Sequence, residues 1–200
     1  MPPVAVTGFL WLSQLKRGTV ERTGEQLQLL TNSQWDEEAR HLADVALLLL
    51  DKHRSHPSST VTRSLLRHLC REIEDHCPRY VSIAARDRAA ALGLSDLREY
   101  HWDEQPHRMK DHGREIFHWD HFVPVSQLQR QLEEQGALAT QERTFGILRR
   151  ARIAWILKAE DEDLTRRGFR SHRDNPYKAY DDVKISLLHV HDSDPDLWGH

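Results

Sequence analysis

Residues 116–126, Ile-Phe-His-Trp-Asp-His-Phe-Val-Pro-Val-Ser, constrain this chain more than any other segment. Aromatic and branched side chains favour a short strand, and Pro124 marks where that strand ends. An adjacent acidic and imidazole pair, Asp120 and His121, stands at its end. An acid that can hold a divalent metal, beside a base that can take a proton from water, is half of a phosphodiester-cleaving site. The segment therefore predicts a sheet that carries a reactive pair.

The first hundred residues, by contrast, predict helices. Apolar residues recur at helical spacing from Leu42 to Leu50, and again from Leu65 to Cys77, where Pro78 ends the pattern. A third, shorter helix is expected from Ser82 to Leu92, before Gly93. None of these segments carries a catalytic pattern, so residues 1–100 are expected to form a helical N-terminal region.

The second half alternates between strand and helix signals. The expected elements are a loop over 100–113, a strand over 116–122, helices over 127–135 and 140–150, a strand over 152–157, a helix from Ala159 to Gly168, and a further strand over 183–190. The fold class predicted is α+β and mainly helical, with its sheet assembled in residues 101–200.

The order Asp-His-x-Val-Pro-x-Ser, read from Asp120 to Ser126, closely resembles the first strand of the HNH, or ββα-metal, nucleases. The segment Ile156 to Asp163 resembles the strand-to-helix junction that follows in that family. The resemblance covers about residues 114–182 and implies a ββα-metal core in the C-terminal half, with metal-dependent cleavage of DNA as its activity.

The same resemblance implies a set of site residues. Asp120 would be the first metal ligand and His121 the general base, while Asp163 would be the last ligand, with Glu160 as its substitute. Carboxylate oxygens suit hard cations, so Mg²⁺ or Mn²⁺ is the expected ion. Because side chains alternate along a strand, His118 is expected to point with Asp120 and is a candidate extra ligand.

Charge bears on the substrate. A formal net charge of −3 argues against a general polyanion binder, but basic residues cluster in the last third of the chain. The candidates for contact with nucleic acid are Arg149, Arg150, Arg152 and Arg170. Double-stranded DNA is the expected partner, and a restriction or defence enzyme that cuts both strands would suit a homodimer.

Each assignment has a structural alternative. The pair Asp120–His121 could be a packed carboxylate and imidazole, the acidic run from Glu160 to Asp163 could compensate a helix dipole, and the arginines could form a solvated face. No asparagine near Arg152 or Ile153 matches the middle residue of the HNH motif. The alternatives are therefore a non-catalytic nucleic-acid-binding or regulatory protein on the same fold, or an RNA-cleaving toxin.

Localisation is expected to be cytoplasmic. The longest apolar run, Val45 to Leu50, is far shorter than the roughly 20 residues that span a bilayer. Lys16 and Arg17 follow the first apolar residues, the reverse of the order in a secretory signal. Cys70 and Cys77 lie two turns apart in a helical pattern, too far for a disulfide, and are expected to be free thiols.

Overall fold

Seven α-helices and four strands make up residues 32–188, the part of the chain that the computed structural model describes. The helices are α1 (Asn32–Ser55), α2 (Thr60–Glu72), α3 (Ile83–Ala91), α4 (Val125–Glu134), α5 (Gln141–Leu148), α6 (Lys158–Arg166) and α7 (Pro176–Asp182). The strands are β1 (Arg79–Ser82), β2 (Phe117–His121), β3 (Ile153–Leu157) and β4 (Leu187–Leu188). The predicted α+β class is confirmed. Lys16 and Arg17, and the end of the strand expected over 183–190, lie outside the described residues.

The four strands form one mixed sheet in the order β2-β3-β1-β4. β2 and β3 are antiparallel, with Trp119 opposite Trp155, whereas β1 runs parallel to β3, with Tyr80 opposite Ala154. β4 pairs with the other side of β1. β2 is thus an edge strand, so a cleft along its open edge can be reached by side chains from both faces of the sheet.

Local signals explain where several helices begin. Side-chain oxygens cap α2, α3, α5 and α7 by accepting the backbone N–H three residues on; the capping residues are Ser59, Ser82, Thr140 and Asn175. Pro176, in the first turn of α7, needs no hydrogen-bond partner there. Gly168 adopts φ +85° just after α6, a conformation that side chains disfavour.

α1 buries one stripe of side chains along its length. Trp35, Ala39, Ala43 and Ala46 are fully buried at helical spacing, while Leu48 on another face is exposed. The stripe packs against α5 and α2. None of the helices in residues 32–188 is both long and apolar enough to cross a membrane.

One hydrophobic core joins residues from both sides of position 100. It runs from Trp35 and Leu66 through Tyr80 to Phe117 and Trp155. β1, which belongs to the first hundred residues, lies inside the sheet between β3 and β4. The expected helical region and the expected ββα region therefore share a core. Cys70 and Cys77 are buried free thiols, and burial raises the pKa of each to about 12.

His101 ties the loop before β2 to the turn that follows α2. Its Nδ1 lies 2.7 Å from Asp103 Oδ1 and its Nε2 2.5 Å from Asp75 Oδ1. Burial disfavours the charged imidazole, but the two carboxylates outweigh that effect, so the pKa of His101 is raised. The ring packs edge-on against Trp119 of β2, at 5.1 Å between centroids. This contact helps to hold the Trp119 side chain in place.

We expect this contact to make stability depend on pH. A raised pKa in the folded state contributes stability that is fully present below the unfolded value of about 6.5 and is lost as pH rises through the folded value. His101→Gln should therefore lower Tm more at about pH 6 than at about pH 9. His107→Gln, at an exposed position of the same loop, is the control. Equal losses for His101→Gln at both pH values would contradict the charged state of His101.

Candidate functional site

β2 presents two pairs of side chains in opposite directions. His118 and Asp120 point toward α6, and Trp119 and His121 point toward the end of α2. The alternation follows from the strand period of two. The side-chain directions expected for His118 and Asp120 are confirmed.

His118, Asp120 and Asp161 converge on one point. The nitrogen of His118 and an oxygen of each carboxylate all lie within 4.8 Å of one another, and His118 Nε2 is 3.4 Å from Asp161 Oδ1. Asp161 belongs to the first turn of α6, which packs against β2 and β3. One nitrogen and two carboxylate oxygens are donors that suit Mn²⁺ or Mg²⁺. The three residues can therefore hold a divalent cation.

Asp120 is also the centre of a buried ion pair. Arg173 donates from Nη1 to Oδ2 at 2.7 Å and from Nη2 to Oδ1 at 3.1 Å, and the hydroxyl of Tyr180 donates to Oδ2. Burial alone would raise the pKa of Asp120, but Arg173 and the hydrogen bonds outweigh it, so the pKa is lowered. Oδ1 accepts only one of these bonds and keeps a lone pair for an ion.

The charge states of the neighbours follow from the same burial. Burial and the Asp120 carboxylate raise the pKa of Tyr180, which therefore stays protonated and donates. Burial also lowers the pKa of His118, although Asp120 and Asp161 oppose the shift. His118 is thus neutral near pH 7, the form that binds a metal.

His121 is oriented by Glu74, a residue of the 3-10 turn Ile73–Asp75 that follows α2. Its Nε2 lies 2.7 Å from Glu74 Oε2, and the same oxygen accepts a 3.4 Å bond from the Trp119 indole. Since Nε2 is buried against this carboxylate, proton transfer by His121 would use Nδ1. A carboxylate placed against one nitrogen of an imidazole stabilises the charged ring and is common beside general bases.

A cleft of about 830 Å³ opens over these groups. His118, Asp120 and His121 line its wall on β2, and Asp161 lines it from α6. The remaining charged lining is mostly cationic and consists of Arg67, Arg71, Lys158, Arg166, Arg170 and Arg173, with Glu162. Guanidinium groups at this density favour a phosphate-bearing ligand.

The two ligands expected on α6 lie elsewhere. The carboxylate of Glu160 accepts bonds from Leu157 N and Ser82 Oγ, both at 2.7 Å, and so caps the helix. Asp163 pairs with Arg166 at 2.7 Å. The helical period explains the difference, because the α6 residues that face the cleft recur at i, i+3, i+4 and i+7. They are Lys158, Asp161, Glu162 and Thr165.

Of the four arginines expected at nucleic acid, Arg170 alone lines this cleft. Arg149 pairs with Asp36 of α1 at 3.0 Å, and Arg150 donates to Gln131 of α4. Arg152 is buried and donates to the carbonyls of Arg149 and Ala151. These three side chains hold the connection between α5 and β3 in place. Their partners lie far away in sequence or on the backbone, so the sequence pattern could not show that they point away from the cleft.

Removal of Arg173 should destabilise the protein by about 3–5 kcal/mol, because it leaves Asp120 buried and unpaired. Arg173→Met, compared with wild type by urea unfolding at neutral pH, measures the loss. The control is Arg170→Met at a neighbouring exposed position, which should change stability by no more than about 0.5 kcal/mol.

The sign of the pH dependence gives a second readout for the same variant. A lowered pKa of Asp120 contributes stability that is present above its unfolded value of about 3.9 and is lost as pH falls through the folded value. The difference in free energy of unfolding between wild type and Arg173→Met should therefore become smaller as the pH falls. A gap that widens below about pH 4 would contradict the ionised state of Asp120.

Comparison of the chain with protein-family models, with curated protein sequences and with solved structures found no match. The resemblance to the HNH nucleases, read from Asp120 to Ser126 and from Ile156 to Asp163, therefore stays a prediction from the sequence.

Proposed function

We propose that this protein is a metal-dependent endonuclease that hydrolyses phosphodiester bonds of DNA. One observation carries the proposal: His118, Asp120 and Asp161 meet in a cleft whose other charged lining is mostly cationic. Metal ligands beside phosphate-binding groups are the two requirements of a hydrolytic phosphodiester site. A restriction or defence role and a homodimer belong to the same proposal.

The residues present fit a bound Mn²⁺ or Mg²⁺. His118, Asp120 and Asp161 would hold it, since His118 is neutral, both carboxylates are available and Oδ1 of Asp120 keeps a lone pair. When bound, such an ion supplies charge neutralisation at the scissile phosphate and its leaving oxygen.

The chain's own groups perform the remaining steps. His121 accepts the proton of the attacking water at Nδ1, while Glu74 holds Nε2 and stabilises the imidazolium that forms. Arg67 and Arg71, which α2 presents across the cleft, bind phosphates that flank the scissile one. Lys158, 3.4 Å from Asp161, holds that carboxylate in place.

The non-catalytic alternative also has an observation in its favour. Arg173 and Tyr180 occupy three of the roughly four acceptor positions of Asp120, as they would if its role were structural. Nucleic-acid binding without cleavage would support that alternative, and cleavage of RNA but not DNA would support the toxin.

The discriminating variants are two aspartates on α6. Asp161→Asn should lower Mn²⁺-dependent nicking of plasmid DNA by about 10²-fold or more, because it removes a ligand that also neutralises the ion. Asp163→Asn, the matched control, should stay within about twofold of wild type, since its partner is Arg166. Calorimetric titration with Mn²⁺ should show weaker binding only for Asp161→Asn. Equal activity of the two variants would overturn the ligand assignment.

A separate prediction concerns the base. His121→Ala should lower kcat by about 10²–10⁴ with little change in KM, as expected for loss of a proton acceptor. Glu74→Ala should also lower kcat at unchanged KM, and Glu74→Gln should recover part of the loss because its amide can still orient the ring. Glu72→Gln, an exposed position at the end of α2, is the control. A purely structural role for Glu74 would instead lower Tm and leave kcat of the folded enzyme unchanged.

A further inference from the structure

A second cavity, of about 320 Å³, adjoins the cleft. It shares walls with the cleft, namely Arg71, His118, Trp119, His121 and Lys158. Five residues line this cavity but not the cleft. The two exposed ones, Trp102 and Arg114, form its outer wall, and the others are Glu74, Gln105 and Phe117. Its volume is at the lower end of the range of about 300–1,000 Å³ for small-ligand pockets. A group attached to a phosphate in the cleft could therefore enter this cavity without leaving the protein surface.

The outer wall is a stacked pair. The guanidinium carbon of Arg114 lies 4.6 Å from the centroid of the Trp102 ring, and Trp102 is 36% exposed. The other tryptophans within residues 34–188, Trp35, Trp119 and Trp155, are buried. A planar guanidinium stacked on an indole leaves a flat face that can stack on a further aromatic ring.

The loop that carries this pair is held firmly. The buried carboxylate of Asp111 accepts bonds from the Gln105 amide at 2.7 Å and from the backbone N–H groups of Glu115, Ile116 and Phe117, at 2.8 to 3.1 Å. Arg114 adopts φ +54°, a conformation that non-glycine residues rarely adopt. The backbone that carries the pair is thus fixed at the entrance to β2, which limits the backbone entropy lost when a ligand is bound.

We propose that this cavity is a nucleobase subsite, in which an unpaired base beside the scissile phosphate stacks on the Trp102–Arg114 pair. Nucleobases are the flat, neutral groups that a nucleic-acid strand carries next to its phosphates, and stacking on aromatic and guanidinium faces is how proteins bind them. The inference rests on the proposed function only in placing a strand in the cleft. It narrows the substrate to nucleic acid that is single-stranded or locally opened at the cut.

The test is binding of a short, fluorescently labelled single-stranded DNA in EDTA, which prevents metal-dependent cleavage. Fluorescence anisotropy compares the intact strand with strands that carry one abasic residue at each position in turn, so that the phosphates stay the same. At one position, loss of the base should weaken binding by about tenfold. Trp102→Ala should weaken binding of the intact strand to the same extent and have no further effect on that abasic strand, whereas Trp102→Phe should retain most of the affinity.

A second pair of variants separates loss of stacking from loss of a positive charge. Arg114→Ala and Arg88→Ala each remove one exposed cation, but Arg88 lies on α3 and lines neither cavity. Only Arg114→Ala should reduce the difference between intact and abasic strands. Equal binding of all abasic strands, or equal weakening of intact and abasic strands by Trp102→Ala, would overturn the subsite.

Failure of the base subsite and failure of the nuclease proposal give different results in these experiments. Base-dependent binding without any cleavage in Mn²⁺ would support the subsite and overturn catalysis. Cleavage with base-independent binding would do the reverse. Absence of any binding to nucleic acid would overturn both.

Discussion

The buried contact between Asp120 and Arg173 organises the molecule around β2. Two charges withdrawn from water are stable only when their remaining hydrogen-bonding groups also find partners. Here Arg173 also donates to the carbonyls of His121 and Phe122, at 2.9 and 3.1 Å, and Tyr180 completes the set around the carboxylate. The backbone of Arg173 exchanges two 2.8 Å bonds with the side chain of Gln127. The contact thereby joins β2, α4 and α7 into one unit.

The contact with Arg173 also limits how strongly Asp120 can bind a cation. Arg173 offsets the charge of Asp120, so the carboxylate is a weaker ligand than it would be alone, and Lys158 has the same effect on Asp161. A bound cation would have to draw on the neutral imidazole of His118 and on ligands from the substrate phosphate. The ion is therefore expected to bind more weakly without substrate than with it. Because Asp161 stands outside the buried network, its substitution tests the proposed catalysis with less effect on folding than substitution of Asp120 would have.

The sequence allowed prediction of the local parts of this arrangement. Strand alternation placed His118 with Asp120, and the strands β2 and β3 and the helix α6 lie close to their expected bounds. β1 was not expected, because four residues that include Arg79 give too short a pattern. The contacts of Glu74, Arg173 and Tyr180 with β2 could not be predicted either, since each residue reaches the strand from a distant segment and no spacing rule connects them.

Which acidic residue of α6 faces His118 depends on how the helix is rotated about its axis. Glu160 and Asp163 lie three residues apart and share a face, but that face turns away from His118. Only the point at which β3 passes into α6 fixes the phase, and Glu160 sets that point by capping the N–H of Leu157. A residue taken for a ligand thus determines which of its neighbours can be one.

The segment from α2 to β1, residues 60–82, is part of the site and not a separate support for it. The segment from α2 to the turn after it presents Arg67 and Arg71 to the cleft and Glu74 to His121. β1 fills the sheet position beside β3, and His101 braces Trp119 from behind. Because β2 is an edge strand, groups from α6 on one face and from α2 on the other reach the same opening. A ββα unit alone would supply the proposed cation ligands on one side of β2, but it would lack Glu74, the carboxylate that lies against the proposed base on the other side.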